Sequence, residues 1–500
     1  MRSRKTGIIL SYLNTFLNMV SGLFLSAYLI RMLGAQEYGV YQTVASFANY
    51  LVMLQFGTGT VMTRNIAMCS ARHAPQEEID RNVNAIWSLA CILSALIVVV
   101  GIGFYTAIDE IYVLTMDAVQ QEQAKTIFLY VMLHLISSFL LQTLNGVALA
   151  YEYYGYASIQ NIFRTVMKTA VLAAWVFQSR RAVHIAQTDA LISVVLLIVS
   201  GLCITRWTGI HFHLKRPDRS VMAAIAPLCL ALFLQTIVNQ ANNNVDKFLI
   251  GVLLSTESVS VYSVAMYIFS IFSSMTTIPI SMYAPMVAKE IQRGTEMERL
   301  EYSLVAPCRL TAIIGGMIYF GFIAAGREFI CAVYGEYYMT AWGAAVVIMA
   351  PMYINMITGT LVNILDALNK RMIRSLILIG TTVMNILLTV FWLRRWGIMG
   401  AAMATAISTL IGQVLIMNLY YIKRIHINIR KLLSESMRGI LIWFAVACFA
   451  SMAAGNFADD QLVSMMIRIA TFLVVWICGF LWKGASDEEK HMIQKICHWR

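Results

Sequence analysis

IWSLACILSALIVVVGIGFYT, residues 86–106, decides the fold: the stretch contains no Asp, Glu, Lys or Arg. About 20 apolar helical residues cross a hydrocarbon core. LVAPCRLTAIIGGMIYFGFIAAG (304–326) and RGILIWFAVACFASMAAG (438–455) read the same way, each with a single basic residue. Lipid offers the backbone no hydrogen bonds, so only helices or closed barrels span it, and the alternation of barrel strands is absent. The sequence therefore predicts an all-α integral membrane protein.

Working outward, the whole chain has this character. Apolar residues make up 59% and charged residues 13%, against roughly 25% charged in soluble domains. About fourteen transmembrane helices are expected, at 8–30, 41–63, 86–106, 126–148, 160–178, 184–205, 221–243, 259–283, 304–326, 341–365, 374–393, 400–421, 438–455 and 463–482. The first run, residues 7–30, exceeds the roughly 7–15 apolar residues of a signal peptide and is read as a retained helix. With a cytoplasmic N-terminus, 26 Lys and Arg fall in inner segments and 8 in outer ones, with Lys168, Arg309 and Arg468 inside spans. That asymmetry is the positive-inside rule, and it puts both termini in the cytoplasm. It also accounts for the formal charge of +11 without nucleic acid. The nine cysteines show no C-x-x-C spacing, so neither a disulfide framework nor a zinc site is indicated. No loop between these spans is long enough to hold a soluble catalytic domain.

A gapless shift that lays Leu33 on Leu254 carries the first six spans onto spans seven to twelve. In that register Leu33–Tyr41 falls on Leu254–Tyr262, and Asn14 and Asn18 fall on Gln235 and Asn239. His134, Gln142 and Asn145 fall on Asn355, Asn363 and Asp366. Polar residues are scarce in these helices, so their coincidence in one register marks a repeat. Six spans per repeat give parallel halves, related by an axis along the membrane normal. The expected organisation is an N-terminal lobe (1–206), a C-terminal lobe (207–422), an appended helix pair (423–483) and a cytoplasmic tail (484–500). Such lobes, rocking about a midplane site, make an alternating-access transporter.

The polar residues lie on helix faces. Ser11, Asn14, Asn18 and Ser21 are three or four apart on the first helix, and so share one side. Gln235, Asn239, Asn242, Asn243 and Asp246 repeat the stripe on the seventh. His134, Ser138, Gln142 and Asn145 line the fourth, and Asn355, Gly359, Asn363 and Asp366 the tenth. Single amides can simply join helices, at about 0.6 kcal/mol each. Four stripes repeated in two halves point instead to a hydrated cavity. A charge at a helix centre costs about 2.5–3.5 kcal/mol on insertion scales. Arg164 and Lys168, four apart on the fifth helix, form a basic spot suited to a diphosphate or another anionic head group. Asp246 and Asp366 are candidates for a coupling cation. Arg309 and Arg64, at span ends, are expected to snorkel to the interface.

Other chemistry is missing. His211 and His213 sit in a basic loop beside Lys215 and Arg216 and make no metal set. No P-loop G-K-[ST] and no G-x-S-x-G elbow occurs, so neither ATP hydrolysis nor a serine hydrolase is indicated. No cofactor is expected, apart from Na+ or H+ as the coupling ion. The tail, with Met492, Ile493 and Ile496 on one side, is expected to lie on the inner surface.

LIRMLGAQEYGVYQTVASFANYLVMLQFGTGTVMTRNIA (29–67), NVDKFLIGVLLSTESVSVYSVA (244–265) and GIMGAAMATAIS (397–408) resemble, in this order, signature segments of Wzx-type polysaccharide flippases. These belong to the MATE/MOP superfamily, with MATE drug exporters and lipid II flippases. The likeness covers nearly the whole chain. It implies a non-enzymatic transporter that flips undecaprenyl-diphosphate-linked oligosaccharide across a bacterial plasma membrane, driven by an ion gradient. Membrane lipids surround it, and a polysaccharide polymerase and chain-length proteins are the implied partners. Head-group contacts would come from Arg164, Lys168, Asn14, Asn18, Gln142, Asn145, Gln235, Asn239 and Asn363. A MATE-type drug or cation exporter and a lipid II flippase are the nearest alternatives. The first helix carries no Arg between its ends, where a lipid II flippase is expected to place them. A membrane glycosyltransferase or polymerase would need catalytic carboxylates and a large outer loop.

Overall fold

The computed structural model describes residues 4–485 and 489, apart from 154, 215–217, 295, 369 and 457–459. Of residues 4–9, 11, 12, 238, 239, 241–243 and 371 it describes the backbone only. The expected amphipathic tail thus lies outside the described residues, except for Glu489. Every described element is helical, and the described residues hold 10 helices long and apolar enough to cross a membrane, or 11 if one bent pair counts as a span. Two apolar stretches, Leu13–Ala71 and Met372–Ile425, run for 59 and 54 residues. At about 1.5 Å per residue each is long enough for two crossings.

Contacts divide the chain into two compact units, Met1–Ser260 and Val261–Arg500. The first contains α1 (Arg4–Ala48), α2 (Thr58–Ala71), α3 (Gln76–Ile111), α4 (Ala118–Ala150), α5 (Tyr156–Gln178), α6 (Val183–Thr208) and α7 (Arg219–Leu253). The loop expected between the first two spans is not a loop. Helix α1 continues through it and turns at Gly34, where φ is 81° and ψ 171°. That region suits a residue without Cβ. Beyond the turn, Glu37 accepts the backbone N–H of Ala182 at 2.8 Å and a bond from Gln123 at 2.5 Å. The acidic residue of the first signature segment therefore secures the start of α6 and the start of α4.

Helix α4 is central, packing against α6, α2 and α3. It crosses α2 at small residues. A Cβ added at Gly146 would strike the carbonyl of Gly59, and one at Gly59 would meet the carbonyl of Gln142 at 2.7 Å. Close backbone approach of this kind is the common way to join helices in lipid, where no hydrophobic effect draws them together. Buried rings close the other end: Phe47 lies 4.6 Å from Phe104 and 6.0 Å from Phe128, centroid to centroid.

The second unit begins inside α8 (Thr256–Met282). It continues with α9 (Ala284–Gln292), α10 (Met297–Tyr334), α11 (Thr340–Ile357), α12 (Val362–Ala367) and α13 (Arg371–Thr409). After α13 come a π-turn segment (Leu410–Ile416), α14 (Met417–Tyr420) and a second π-turn (Tyr421–Ile425). The unit ends with α15 (Ile429–Met437), α16 (Ile440–Gly455) and α17 (Gln461–Gly479). The register that lays Leu33 on Leu254 also lays Gln76, the first residue of α3, on Met297, the first of α10. It lays the Gly34 turn on the break after α7. The repeat read from polar positions is thus also a repeat of helix boundaries.

Arg309 departs from the snorkelling expectation. It is 9% exposed and holds Glu489 in a two-pronged pair at 2.8 and 3.0 Å. It also donates to the carbonyl of Arg438 at 3.0 Å and to that of Gly484. The planar fork of a guanidinium can serve a carboxylate and two carbonyls together. Arg309 therefore ties α10 to the start of α16 and to the end of α17. Arg468 does similar work further along, meeting Glu328 at 3.2 Å and the carbonyl of Ala324 at 3.2 Å. Arg64 is exposed, in keeping with its expected place at an interface.

Candidate functional site

One turn of helix separates Arg164 from Lys168, so α5 presents both on the same side. Opposite them stand α4 and α6. Lys168 does not stand free: its Nζ lies 2.8 Å from the carboxylate of Asp189 on α6. Their side chains are 27% and 13% exposed, so the pair is largely withdrawn from solvent. The Tyr41 hydroxyl also donates to Asp189, at 3.3 Å. The lysine of the expected basic spot is thus paired with a carboxylate.

Arg164 is held differently. Its Nη2 donates to Ser138 Oγ at 3.2 Å and to Ser193 Oγ at 3.0 Å, and no carboxylate pairs with it among the described residues. Ser193 is heavily shared. It donates to the carbonyl of Asp189 at 2.7 Å, while His134 Nδ1 lies 2.7 Å away and Ser138 3.3 Å away. A hydroxyl offers one donor and two acceptor sites, so these four neighbours cannot all be served at once. His134 Nδ1 has a second partner in the carbonyl of Asp189, at 3.1 Å. Arg164, with five N–H donors, holds only hydroxyls and keeps most of its donors for a ligand. With His134 neutral, the cluster carries one net positive charge.

The amides distribute unevenly. Asn18 donates to Asn14 at 2.9 Å and accepts from Thr165 of α5, next to Arg164. The first-helix stripe thus meets the helix of the basic spot. Gln142 is exposed and Asn145 half-buried on α4. Gln235 is exposed on α7, and the side chain of Asn239 lies outside the described residues. Asn363 donates to the carbonyl of Ile280 at 2.9 Å, and Asn355 donates to Gln413 at 3.0 Å. These two join helices of the second unit. Asp246 is 5% exposed on α7, and Asp366 is half-buried on α12. His211 and His213 lie with ring centroids 6.3 Å apart, and no group of three or more metal-binding side chains occurs among the described residues.

Asp189, Ser193 and Tyr41 were not legible as site residues from hydropathy. A signal did exist. Asp189 is the one carboxylate in the fourth, fifth and sixth expected spans, and a lysine inside a span requires a counter-charge.

Similar folds are known. The structure of the lipid II flippase MurJ in an inward closed conformation superposes with a TM-score of 0.71 at 16% identity, over 95% of this chain and 99% of that one. An inward-facing multidrug resistance MATE family transporter of the MOP superfamily gives 0.65 at 14% identity, over 84% and 96%. No curated protein matches by sequence. Residues 4–291, more than half of the chain, match the family described as polysaccharide biosynthesis protein. This multi-pass helical protein, with its half-buried basic cluster, belongs to the polysaccharide biosynthesis protein family.

Proposed function

We propose that the protein is a transporter that flips an undecaprenyl-diphosphate-linked oligosaccharide from the inner to the outer leaflet of a bacterial plasma membrane. The observation that carries this reading is the Arg164 guanidinium, which among the described residues is hydrogen-bonded by hydroxyls alone within the fifth expected span. A charge costs free energy there, and a site with one net positive charge is prepared for an anion. A diphosphate joining a glycan to a prenyl chain is such an anion, and Arg binds phosphate oxygens two at a time.

In this reading the head group enters between a lobe formed by 1–206 and one formed by 207–422. The pair at 423–483 stands beside them, and the tail from 484 is cytoplasmic, as are both termini. The incoming diphosphate takes the free donors of Arg164 and competes with Asp189 for Lys168. Amides of Asn14, Asn18, Gln142, Asn145, Gln235, Asn239 and Asn363 replace water on sugar hydroxyls, and the prenyl chain stays in lipid. Rocking of the lobes then exposes the head group outside. A Na+ or H+ gradient drives the cycle through Asp246 and Asp366, with polymerase and chain-length proteins receiving the product.

The test is reconstitution into liposomes with a fluorescent lipid-linked oligosaccharide and a membrane-impermeant quencher. Quenching of the inner-leaflet pool, dependent on the protein and on an imposed ion gradient, is the expected result. A protein that leaves this pool protected yet expels small cationic dyes would be a drug exporter instead.

A further inference from the structure

The second unit contains a cavity of about 290 Å³, bounded by α8, α11, α13 and the two π-turn segments. None of the residues assigned to the head group lines it. Its volume sits at the lower edge of small-ligand pockets, which run from roughly 300 to 1,000 Å³. That admits a single sugar ring and excludes a peptide or a large drug.

The lining is chemically sorted. On one side, Asn355 donates to the Gln413 carbonyl oxygen at 3.0 Å. Each amide has two N–H donors and an oxygen that accepts, so Asn355 keeps its oxygen and Gln413 its NH2. A donor and an acceptor are thus left side by side, the complement of adjacent hydroxyls on a ring, each of which both donates and accepts. Tyr421 also lines the cavity. It is 2% exposed, and its hydroxyl is closed off from the cavity. Arg374 lines the same cavity with an exposed side chain and no carboxylate partner among the described residues. Met352, Met356 and Met417 supply apolar surface, and thioether side chains adapt well to irregular C–H faces.

We infer that this cavity is a subsite for one sugar ring bearing a carboxylate, with Arg374 on the carboxylate and the Asn355–Gln413 pair on the hydroxyls. The inference rests on the flippase reading for its source of sugar, and it assigns the second unit a part in selecting acidic glycans.

The experiment uses the full chain in lipid nanodiscs and saturation-transfer NMR, with glucuronate, glucose and inorganic phosphate as probes. Glucuronate is expected to bind measurably more tightly than glucose. Arg374→Gln weakens it about tenfold, the worth of one charge-assisted hydrogen bond. Arg164→Gln leaves glucuronate binding unchanged, which separates this cavity from the basic cluster. Retained flipping of a neutral lipid-linked glycan by Arg374→Gln establishes that the variant is folded. Equal binding of glucuronate and glucose, full competition by phosphate, or indifference to Arg374→Gln each overturns the assignment. Glucuronate binding without flipping of any glycan would remove the transport reading and leave the subsite standing. Flipping without glucuronate binding would remove the subsite alone.

Discussion

Lys168 and Asp189 show what a charge inside a membrane span demands. The lysine was visible in the sequence because Lys interrupts an apolar helix. Its partner sits on the next helix, beyond a connecting turn, and hydropathy carries no information about which side chains meet across that gap. Because the two side chains are largely buried and 2.8 Å apart, removing Asp189 leaves Lys168 without its counter-charge. Asp189→Asn alone is expected to destabilise the protein by about 2–3 kcal/mol, somewhat less than the roughly 3–5 kcal/mol typical of a fully buried pair. Asp189→Asn combined with Lys168→Met should recover most of that loss. Thermal unfolding in nanodiscs provides the cycle, and strict additivity of the two changes would show that the pair contributes nothing. Arg164→Lys is expected to reduce flipping at least tenfold, since a lysine cannot reach Ser138 and Ser193 together and grip a diphosphate with two prongs. Protein yield and unfolding temperature should stay near the native values for that variant.

At the scale of elements, most helices were legible because an apolar run of about 20 residues has few alternatives to a membrane span. Their joints were less so. Residues 31–40 contain enough polar side chains to read as a loop, yet they form helix, and Gly34 alone turns the chain. Arg309 stands near the start of a span, where composition suggests snorkelling. Its real partners, Glu489 and two main-chain carbonyls, come from segments far along the chain. Arg309→Lys keeps the charge but loses the fork, so α16 and α17 are expected to loosen from α10. Limited proteolysis near residues 484–489, faster than in the native chain, checks this; an unchanged pattern would show that the clamp is dispensable. The α2–α4 crossing makes a second claim. Gly146→Leu should lower the unfolding temperature sharply, because the obstacle is the backbone of Gly59 and cannot rotate away. Tolerance of leucine there would mean that the two helices do not approach as closely as described.

The whole molecule was the most legible level. Positive-inside counting and the internal repeat implied about fourteen spans in two parallel halves; the described residues hold 10 helices long and apolar enough to cross a membrane, or 11 with one bent pair, in a fold shared with a lipid II flippase and a MATE transporter. Function is less visible at this scale, since the same architecture serves drugs and lipids alike. The local feature that bears on it is a guanidinium and an ammonium on α5 with one carboxylate on α6. The most direct measurement is leaflet-resolved flipping of a lipid-linked oligosaccharide in proteoliposomes, comparing the native protein with Arg164→Gln at equal incorporation. The account predicts gradient-dependent flipping by the native chain and a loss of at least tenfold in the variant. Flipping at the native rate by Arg164→Gln would contradict the claim that the basic cluster receives the diphosphate.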